Sequence, residues 1–278
     1  MKLNPFYVDD IIKTAINEDI NYIDTSADLV FSENDRTTAY FQSKAQGVLC
    51  GIDVALRVFE LLDDSFSYKK HKEDGDRVRK GEVIAELSGK TASLLKGERT
   101  ALNLLQHMSG IATATDDAVQ KIKGTSASVA DTRKTLPGLR PIQKYAVTVG
   151  GGKNHRYNLS DGVMLKDNHI DACGSITAAV EKVRKNLGHM VKIEVETRNL
   201  DEVREALETA VEVIMLDNMS LEQMSEAVRI CGGKALLEAS GNITGDTIAD
   251  VAKTGVDIIS IGALTHSVKA FDISMKIK

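Results

Sequence analysis

Short apolar runs rich in β-branched residues recur through the second half of the chain, and each ends at polar residues or glycine. The six runs span residues 126–130, 162–165, 191–195, 211–216, 235–237 and 256–261. Runs of this kind are typical of strands buried on both faces, as in parallel sheets. The polar or glycine ends Glu196, Asp217, Ser240 and Gly262 recur about every 22 positions, an interval that fits one strand, one helix and two short connections.

Helix signals fill the intervals between these predicted strands. Asn199 with Glu202, and Ser220 with Gln223, have the spacing of a capping box, while Gly232 lies where a helix is expected to end. Strict alternation of strands and helices predicts a parallel sheet with right-handed crossovers. Because polar residues punctuate every strand end, we expect an open, atypical α/β barrel of about six strands, with its active site on the carboxyl rim. A doubly wound sheet is the alternative fold.

The first hundred residues follow a different pattern. Residues 74–85 alternate apolar and polar positions between glycines, which indicates short antiparallel strands. We therefore predict an N-terminal α/β sandwich domain over residues 1–108 and a barrel domain over 109–267. A helix over 97–115 is expected to lead into the barrel, and residues 268–278 are expected to return to the first domain.

Composition narrows the class of protein. The 278 residues are 42% hydrophobic, enough for a full-sized core. The first twenty residues lack the apolar segment of a secretory signal, and no uncharged run approaches the roughly 20 residues of a membrane span, so we expect a cytoplasmic protein with no membrane partner. Three widely spaced cysteines predict neither a disulfide framework nor a zinc site. The net charge of −5 argues against nucleic-acid binding.

Positive charge is nevertheless concentrated in one segment. Residues 133–166 contain seven Lys or Arg and His155 against one acid, Asp161, which predicts an anionic ligand; a solvated basic face is the alternative. The glycine-rich stretch 150–156 lacks the spacing of a nucleotide-binding P-loop, but glycine lets backbone approach a ligand closely.

Carboxylates and a lysine stand at the predicted strand ends. Glu196 and Asp217 suit magnesium or sugar hydroxyls, although helix capping or ion pairing would also explain them. Ser240, Gly241 and Gly262 are candidates for binding a terminal phosphate. Lys166 could form a Schiff base, as in an aldolase, but the neighbouring arginines favour a charge-pairing role.

A resemblance covers nearly the whole chain. Its motifs are GERTALN at 97–103, DTRKT at 131–135 with PGLR at 137–140, GGGKNHR at 150–156, LKDNH at 165–169, EVE at 194–196, LDN at 216–218 and EASG at 238–241. In this order they resemble the quinolinate phosphoribosyltransferases, also called nicotinate-nucleotide pyrophosphorylases. The resemblance implies conversion of quinolinate and phosphoribosyl pyrophosphate to nicotinate mononucleotide, pyrophosphate and CO2, with Mg2+, in de novo NAD synthesis.

The same resemblance implies roles for individual residues in a homodimer, and it leaves larger assemblies open. Arg99, reaching over from the partner subunit, would hold the two carboxylates of quinolinate together with Arg133, His155, Arg156 and Lys166. Lys134 and Lys166 would face the pyrophosphate, and Glu196 and Asp217 would contact the ribose hydroxyls and, directly or through water, magnesium. Ser240, Gly241, Gly262 and His266 would receive phosphate groups. Asn242 stands where the family frequently has a second glycine, and asparagine also accepts left-handed backbone geometry.

Three alternatives share parts of this pattern. They are a fold-sharing homologue of molybdenum-uptake operons, a non-catalytic phosphosugar-binding protein and, with less support, a class I aldolase acting through Lys166. Retention of both Glu196 and Asp217 with the complete cationic set favours the enzyme, because a phosphate-binding relic would need fewer of these groups.

Overall fold

The computed structural model describes residues 3–278, which fall into two compact units. The antiparallel unit contains the chain up to Asp116 together with Thr135–Gly151 and Leu264–Lys278, and the parallel unit contains Asp117–Lys134 and Gly152–Ala263. The long helix α4, Thr91–Lys121, runs through residue 108, where the sequence places a domain boundary. Within residues 3–278, no helix combines the length and apolar character that a membrane crossing requires.

A four-stranded antiparallel sheet forms the centre of the antiparallel unit. Its elements are α1 (Pro5–Asp19), α2 (Ala27–Val30), β1 (Arg36–Ser43), β2 (Gly47–Val48), α3 (Ile52–Leu62), β3 (Ser67–Lys70), β4 (Arg77–Val78), β5 (Val83–Lys90), most of α4, and α5 (Arg140–Val149). The strand order is β12-β1-β5-β3, in which β12 is the last strand of the chain, Ile273–Ile277; β2 and β4 pair separately. Residues 268–278 therefore contribute a strand to this sheet.

The core of this unit lies between the sheet and helix α3. Alternate residues of β1 are buried, and the Phe41 ring lies 6.1 Å from the Phe59 ring of α3, centroid to centroid. Helix α4 approaches the same cluster at Gly97, where a Cβ would stand 2.7 Å from the Phe59 ring. A glycine inside a helix costs roughly 1 kcal/mol relative to alanine, and here it allows the two helices to pack closely.

From Val163 onwards the parallel unit alternates strands and helices as the sequence predicts, with two helices between its second and third strands. Its elements are β6 (Ser128–Ala130), β7 (Val163–Leu165), α6 (Asp167–Cys173), α7 (Ile176–Asn186), β8 (Ile193–Thr197), α8 (Leu200–Glu208), β9 (Val213–Asp217), α9 (Leu221–Cys231), β10 (Leu236–Ser240), α10 (Ile248–Lys253), β11 (Ile258–Ser260) and the start of α11 (Ala263–His266). The strands form one parallel sheet of order β6-β11-β10-β9-β8-β7. β6 and β7 do not pair, so the sheet stays open there, and the six-strand prediction is confirmed.

The helix caps agree with the sequence in part. Ser220 and Gln223 make both bonds of a capping box at the start of α9, and Gly232 ends that helix with a left-handed φ of 54°. Asn199 accepts hydrogen bonds from the amides of Asp201 and Glu202, but the Glu202 carboxylate binds the amide of Arg198. The second predicted box is therefore only half formed.

Candidate active site

A cavity of about 430 Å³ opens at the carboxyl ends of the parallel strands. It is lined by Thr132, Arg133, Lys134, His155, Arg156, Met164, Lys166, Glu196, Met215, Asp217, Asn218, Glu238, Ser240, Gly241, Asn242 and Ser260. All six strands contribute to this lining from their ends, and His155 and Arg156 lie on the loop that precedes β7. A flat sheet cannot direct six strand ends into one cavity, so the parallel sheet is curved as in an open barrel.

Strand alternation explains which side chains reach this cavity. Side chains two positions apart share a face, and residues paired in register lie side by side on it. Glu196 of β8 pairs with Met215 of β9, and Asp217 of β9 pairs with Ser240 of β10. The sequence places Glu196, Asp217 and Ser240 at strand ends, and the sheet brings them to the same side.

Four basic side chains line the cavity: Arg133, Lys134, Arg156 and Lys166. The Lys166 Nζ lies 3.2 Å from the Glu196 Oε2, and the Arg156 Nη1 donates to the Gly162 carbonyl at 2.8 Å. Burial, with the neighbouring charge of Arg133, lowers the pKa of Arg156. Desolvated cations close together are stabilised by an anion, so the cavity is built for a ligand with several negative charges.

The loop that carries His155 and Arg156 is anchored to the end of β6. The fully buried Asp131 accepts hydrogen bonds from the His155 amide at 2.8 Å and from the Asn154 side chain at 2.6 Å. The Nδ1 of His155 accepts from the Arg156 amide at 2.7 Å. The imidazole therefore carries its proton on Nε2, with a fixed orientation.

Two loops at the rim are shaped by left-handed residues. Gly241 has a φ of 93°, and Asn218 and Asn242 have φ values of 54° and 51°. The Asn242 Nδ2 donates to the Asn218 Oδ1 at 3.0 Å. Asn242 thus adopts the backbone geometry expected for a glycine at this position.

Two buried glutamates belong to the site although the sequence analysis assigned them no role. Glu194 of β8 and Glu238 of β10 have side chains only 9% and 2% exposed, and their Oε2 atoms lie 3.0 Å and 3.6 Å from the Nε2 of His155. Burial, together with the charge of Glu194, raises the pKa of Glu238 to about 7. The sequence signal for each is an acid within or beside an apolar run, two positions before a strand-end residue, Glu196 or Ser240, so that it lies on the same face of its strand.

Three predicted site residues do not line the cavity. Gly262 follows β11, and His266 ends α11, where its Nδ1 lies 2.7 Å from the Ser267 hydroxyl. Arg99 lies on α4 in the antiparallel unit and lines a separate cavity there, beside Lys96, Asp19 and Asp24. Their roles stay predictions.

Comparison with known proteins gives a consistent result over the whole chain. Family models described as the N-terminal and C-terminal domains of quinolinate phosphoribosyl transferase match residues 24–109 and 111–276. A protein of Bacillus subtilis named probable nicotinate-nucleotide pyrophosphorylase [carboxylating] is 46% identical over 260 residues, covering 94% of this chain and 90% of that protein.

A plant protein and a solved structure are similarly close. The chloroplastic nicotinate-nucleotide pyrophosphorylase [carboxylating] of Arabidopsis thaliana is 41% identical over 288 residues, covering 96% of this chain and 82% of that protein. The crystal structure of NadC from Streptococcus pyogenes superposes with a TM-score of 0.97 at 43% identity, covering 100% of this chain and 99% of that one.

Proposed function

The chain belongs to the quinolinate phosphoribosyltransferase family, and we propose that its cavity converts quinolinate and phosphoribosyl pyrophosphate to nicotinate mononucleotide, pyrophosphate and CO2. The enzyme is a decarboxylating pentosyltransferase of NAD biosynthesis. The observation that carries this proposal is the combination of four cations with the rim carboxylates Glu196 and Asp217 in one cavity. Both substrates are polyanions, and the phosphoribosyl donor also presents sugar hydroxyls.

Quinolinate has two adjacent carboxylates, and the guanidinium groups of Arg133 and Arg156 suit them. Arg133 and Arg156 are close enough for their charges to interact, and guanidinium groups bind carboxylates through paired hydrogen bonds. His155 accepts the Arg156 amide and so orients the loop that carries both residues. Lys166 lines the same cavity. We assign the recognition of quinolinate to this set, joined by Arg99 from a partner subunit.

Phosphoribosyl pyrophosphate fits the outer part of the cavity. In this proposal Lys134 and Lys166 neutralise the departing pyrophosphate, and Glu196 and Asp217 accept hydrogen bonds from the ribose hydroxyls. Ser240 and Gly241 lie at the end of β10, where backbone amides and a hydroxyl can bind the 5′-phosphate. Gly262, which follows the neighbouring strand β11, is assigned to the same proposed phosphate site, and the phosphate role of His266 stays a prediction. Attack by the ring nitrogen then depends on positioning more than on acid–base chemistry.

The residues present also fit magnesium. Glu196 and Asp217 offer carboxylate oxygens at the ends of neighbouring strands, and Mg2+ is commonly bound by one or two carboxylates together with substrate phosphates. When bound, Mg2+ supplies positive charge that stabilises the leaving pyrophosphate. Lys166, 3.2 Å from Glu196, keeps that carboxylate oriented towards the cavity.

The proposal includes a homodimer and a cytoplasmic location. In this proposal Arg99 acts in the active site of a partner subunit, and the enzyme is therefore a homodimer. Exposed apolar side chains in the antiparallel unit support an interface, since Tyr22, Leu29 and Val30 are 88%, 75% and 69% exposed. The cysteines Cys50, Cys173 and Cys231 are all free thiols, as expected in a reducing compartment.

The test is an assay of the purified protein with quinolinate, phosphoribosyl pyrophosphate and Mg2+. Nicotinate mononucleotide and CO2 are followed together, with Arg133→Ala as the matched variant. We expect equal amounts of both products, lost in the variant. Tight binding of phosphoribosyl pyrophosphate without turnover would instead favour a binding protein, and borohydride trapping on Lys166 with a carbonyl substrate would favour an aldolase.

A further inference from the structure

The two buried glutamates beneath the cavity are not an ordinary ion pair. Glu194 and Glu238 each direct one carboxylate oxygen at the Nε2 of His155, while their Oε1 atoms are buried and have no hydrogen-bond partner among residues 3–278. Burying an ionised carboxylate without partners is costly, so such groups tend to keep a proton. Glu238, whose side chain is only 2% exposed, therefore favours its protonated form.

The groups around the pair decide where that proton resides. The Nδ1 of His155 already accepts the Arg156 amide, so the Nε2 edge of the ring is the one that the two carboxylates share. Burial and the charges of Glu194 and Asp131 favour the protonated form of Glu238, while the Ser260 hydroxyl and His155 act in the opposite direction. The net effect raises the pKa of Glu238 to about 7, so the acid form is well populated at neutral pH.

A proton is more suitable than a metal ion in this position. The ligand atoms of His155, Glu194 and Glu238 lie within 4.8 Å of one another, which is compatible with a metal. However, Arg133, Arg156 and Lys166 line the same cavity, and their charge opposes a further divalent cation. A proton lowers the negative charge of the carboxylates without adding a centre that repels these side chains.

The proposed reaction, on which this inference rests, needs a proton at one defined step. Loss of the carboxylate next to the ring nitrogen as CO2 leaves an electron pair on the ring carbon that carried it, and that carbon must then gain a hydrogen. Guanidinium and ammonium groups are, as a class, weak acids at neutral pH. Glu238 lines the cavity. Its raised pKa also makes a proton available at neutral pH.

We propose that Glu238 is the acid that protonates the ring carbon during decarboxylation. The bond between this carbon and its carboxylate breaks, CO2 leaves, and the electron pair stays on the carbon. The O–H bond of Glu238 then breaks as the new C–H bond forms, leaving a Glu238 carboxylate that regains its proton from water before the next turnover. Glu194 is a positioning residue, since its charge and its contact with His155 favour the protonated form of Glu238.

The test separates phosphoribosyl transfer from decarboxylation in Glu238→Gln. Pyrophosphate, CO2 and nicotinate mononucleotide are measured in single turnovers with saturating quinolinate and phosphoribosyl pyrophosphate. We expect normal pyrophosphate release and little change in either KM, with nicotinate mononucleotide formed about 100-fold more slowly, as for loss of a general acid. Glu238→Asp should recover part of the rate, and the wild-type decrease in the decarboxylation rate above pH 7 should be absent in Glu238→Gln.

Other outcomes would overturn the proposal in distinguishable ways. Unchanged product formation and an unchanged pH profile in Glu238→Gln would reduce Glu238 to a packing role. Loss of pyrophosphate release together with CO2 would place Glu238 in substrate binding or transfer. If Glu238→Gln does not fold, the wild-type protein still decides the matter, because the decarboxylation step alone must slow above pH 7. A wild-type protein that releases no pyrophosphate would refute the proposed function itself.

Discussion

The side-chain oxygen of Asn218 occupies the space next to Gly241, so that a Cβ at position 241 would lie 2.3 Å from it. The contact links the loops that follow β9 and β10. It also explains why a glycine is needed at position 241, where the φ is 93°.

Gly241→Ala should therefore disturb the proposed phosphate loop. A left-handed conformation costs a non-glycine residue about 1–2 kcal/mol, and Asn218 must move away as well. We expect a lower melting temperature and a raised KM for phosphoribosyl pyrophosphate, with a smaller change for quinolinate. Asn242→Gly is the matched control, because its φ of 51° is accessible to glycine; equal effects of the two substitutions would contradict this explanation.

Lys166 should matter for the reaction and little for folding. It is 48% exposed and its Nζ lies 3.2 Å from Glu196, and ion pairs with an exposed partner contribute about 0–1 kcal/mol to stability. Loss of a preorganised group that stabilises the leaving charge commonly reduces kcat about 100-fold or more. Lys166→Ala should combine a near-native melting temperature with such a loss. A variant that unfolds easily, or one that keeps its kcat, would argue against this role.

Nicotinate should be a poor substitute for quinolinate. It lacks one of the two carboxylates, so a desolvated guanidinium such as Arg133 or Arg156 would be left without its proposed anionic partner. Such a loss costs about 2–5 kcal/mol, or roughly 1.5 to 3.5 decades of affinity. The measurement is kcat/KM for each acid at saturating phosphoribosyl pyrophosphate. Comparable values for the two acids would remove the argument for paired recognition.

Stability should depend on pH through Glu238. Its carboxyl has a pKa of about 7 in the folded protein against an ordinary value of 4.5, so the folded state holds a proton that the unfolded chain has released. This contribution is fully present below pH 4.5 and is lost as the pH rises to 7, which corresponds to about 3 kcal/mol. The free energy of unfolding of the wild type, minus that of Glu238→Gln, should decrease over this interval. A constant difference would mean that Glu238 is ionised in the folded state.

In the antiparallel unit, Asp74 should contribute strongly to stability. Its carboxylate accepts the amides of Gly51 and Ile52 at the start of α3 and the hydroxyl of Tyr145 at 2.9 Å. Losing a helix cap costs about 0.5–2 kcal/mol, and leaving the partly buried Tyr145 hydroxyl without a partner costs at most about 1–3 kcal/mol. Urea unfolding of Asp74→Ala, Tyr145→Phe and the double variant should give a non-additive cycle. Simple additivity would show that the two groups act independently.

The positions of the parallel strands and of most cavity residues could be predicted from the sequence. Apolar runs marked the strands, and the residues that end them must meet where parallel strands share one rim, as Glu196, Asp217 and Ser240 do. Glu194 and Glu238 could not be assigned in this way. Alternation places each on the same face as the strand-end residue two positions later, but its burial and its approach to His155 depend on where the loop that carries His155 lies, which a local pattern does not reveal.

The start of α4 is a second feature that the sequence does not predict correctly. The sequence predicts a helix from residue 97 to 115, and glycine is unfavourable inside a helix. In the structure α4 begins at Thr91, directly after β5, and Gly97 lies within it, against Phe59. Packing between two helices outweighs the local preference of one residue, and such contacts are not visible in a local pattern.

The pairing of β12 with β1 has a consequence for synthesis on the ribosome. Residues 273–277 bind the strand formed by residues 36–43, although almost the entire chain separates them. Until these late residues emerge, one side of β1 presents unpaired amides and carbonyls, and such an exposed edge can pair with strands of other nascent chains. The antiparallel sheet is thus completed last although most of it is made first, and its assembly should be slow and sensitive to chaperones.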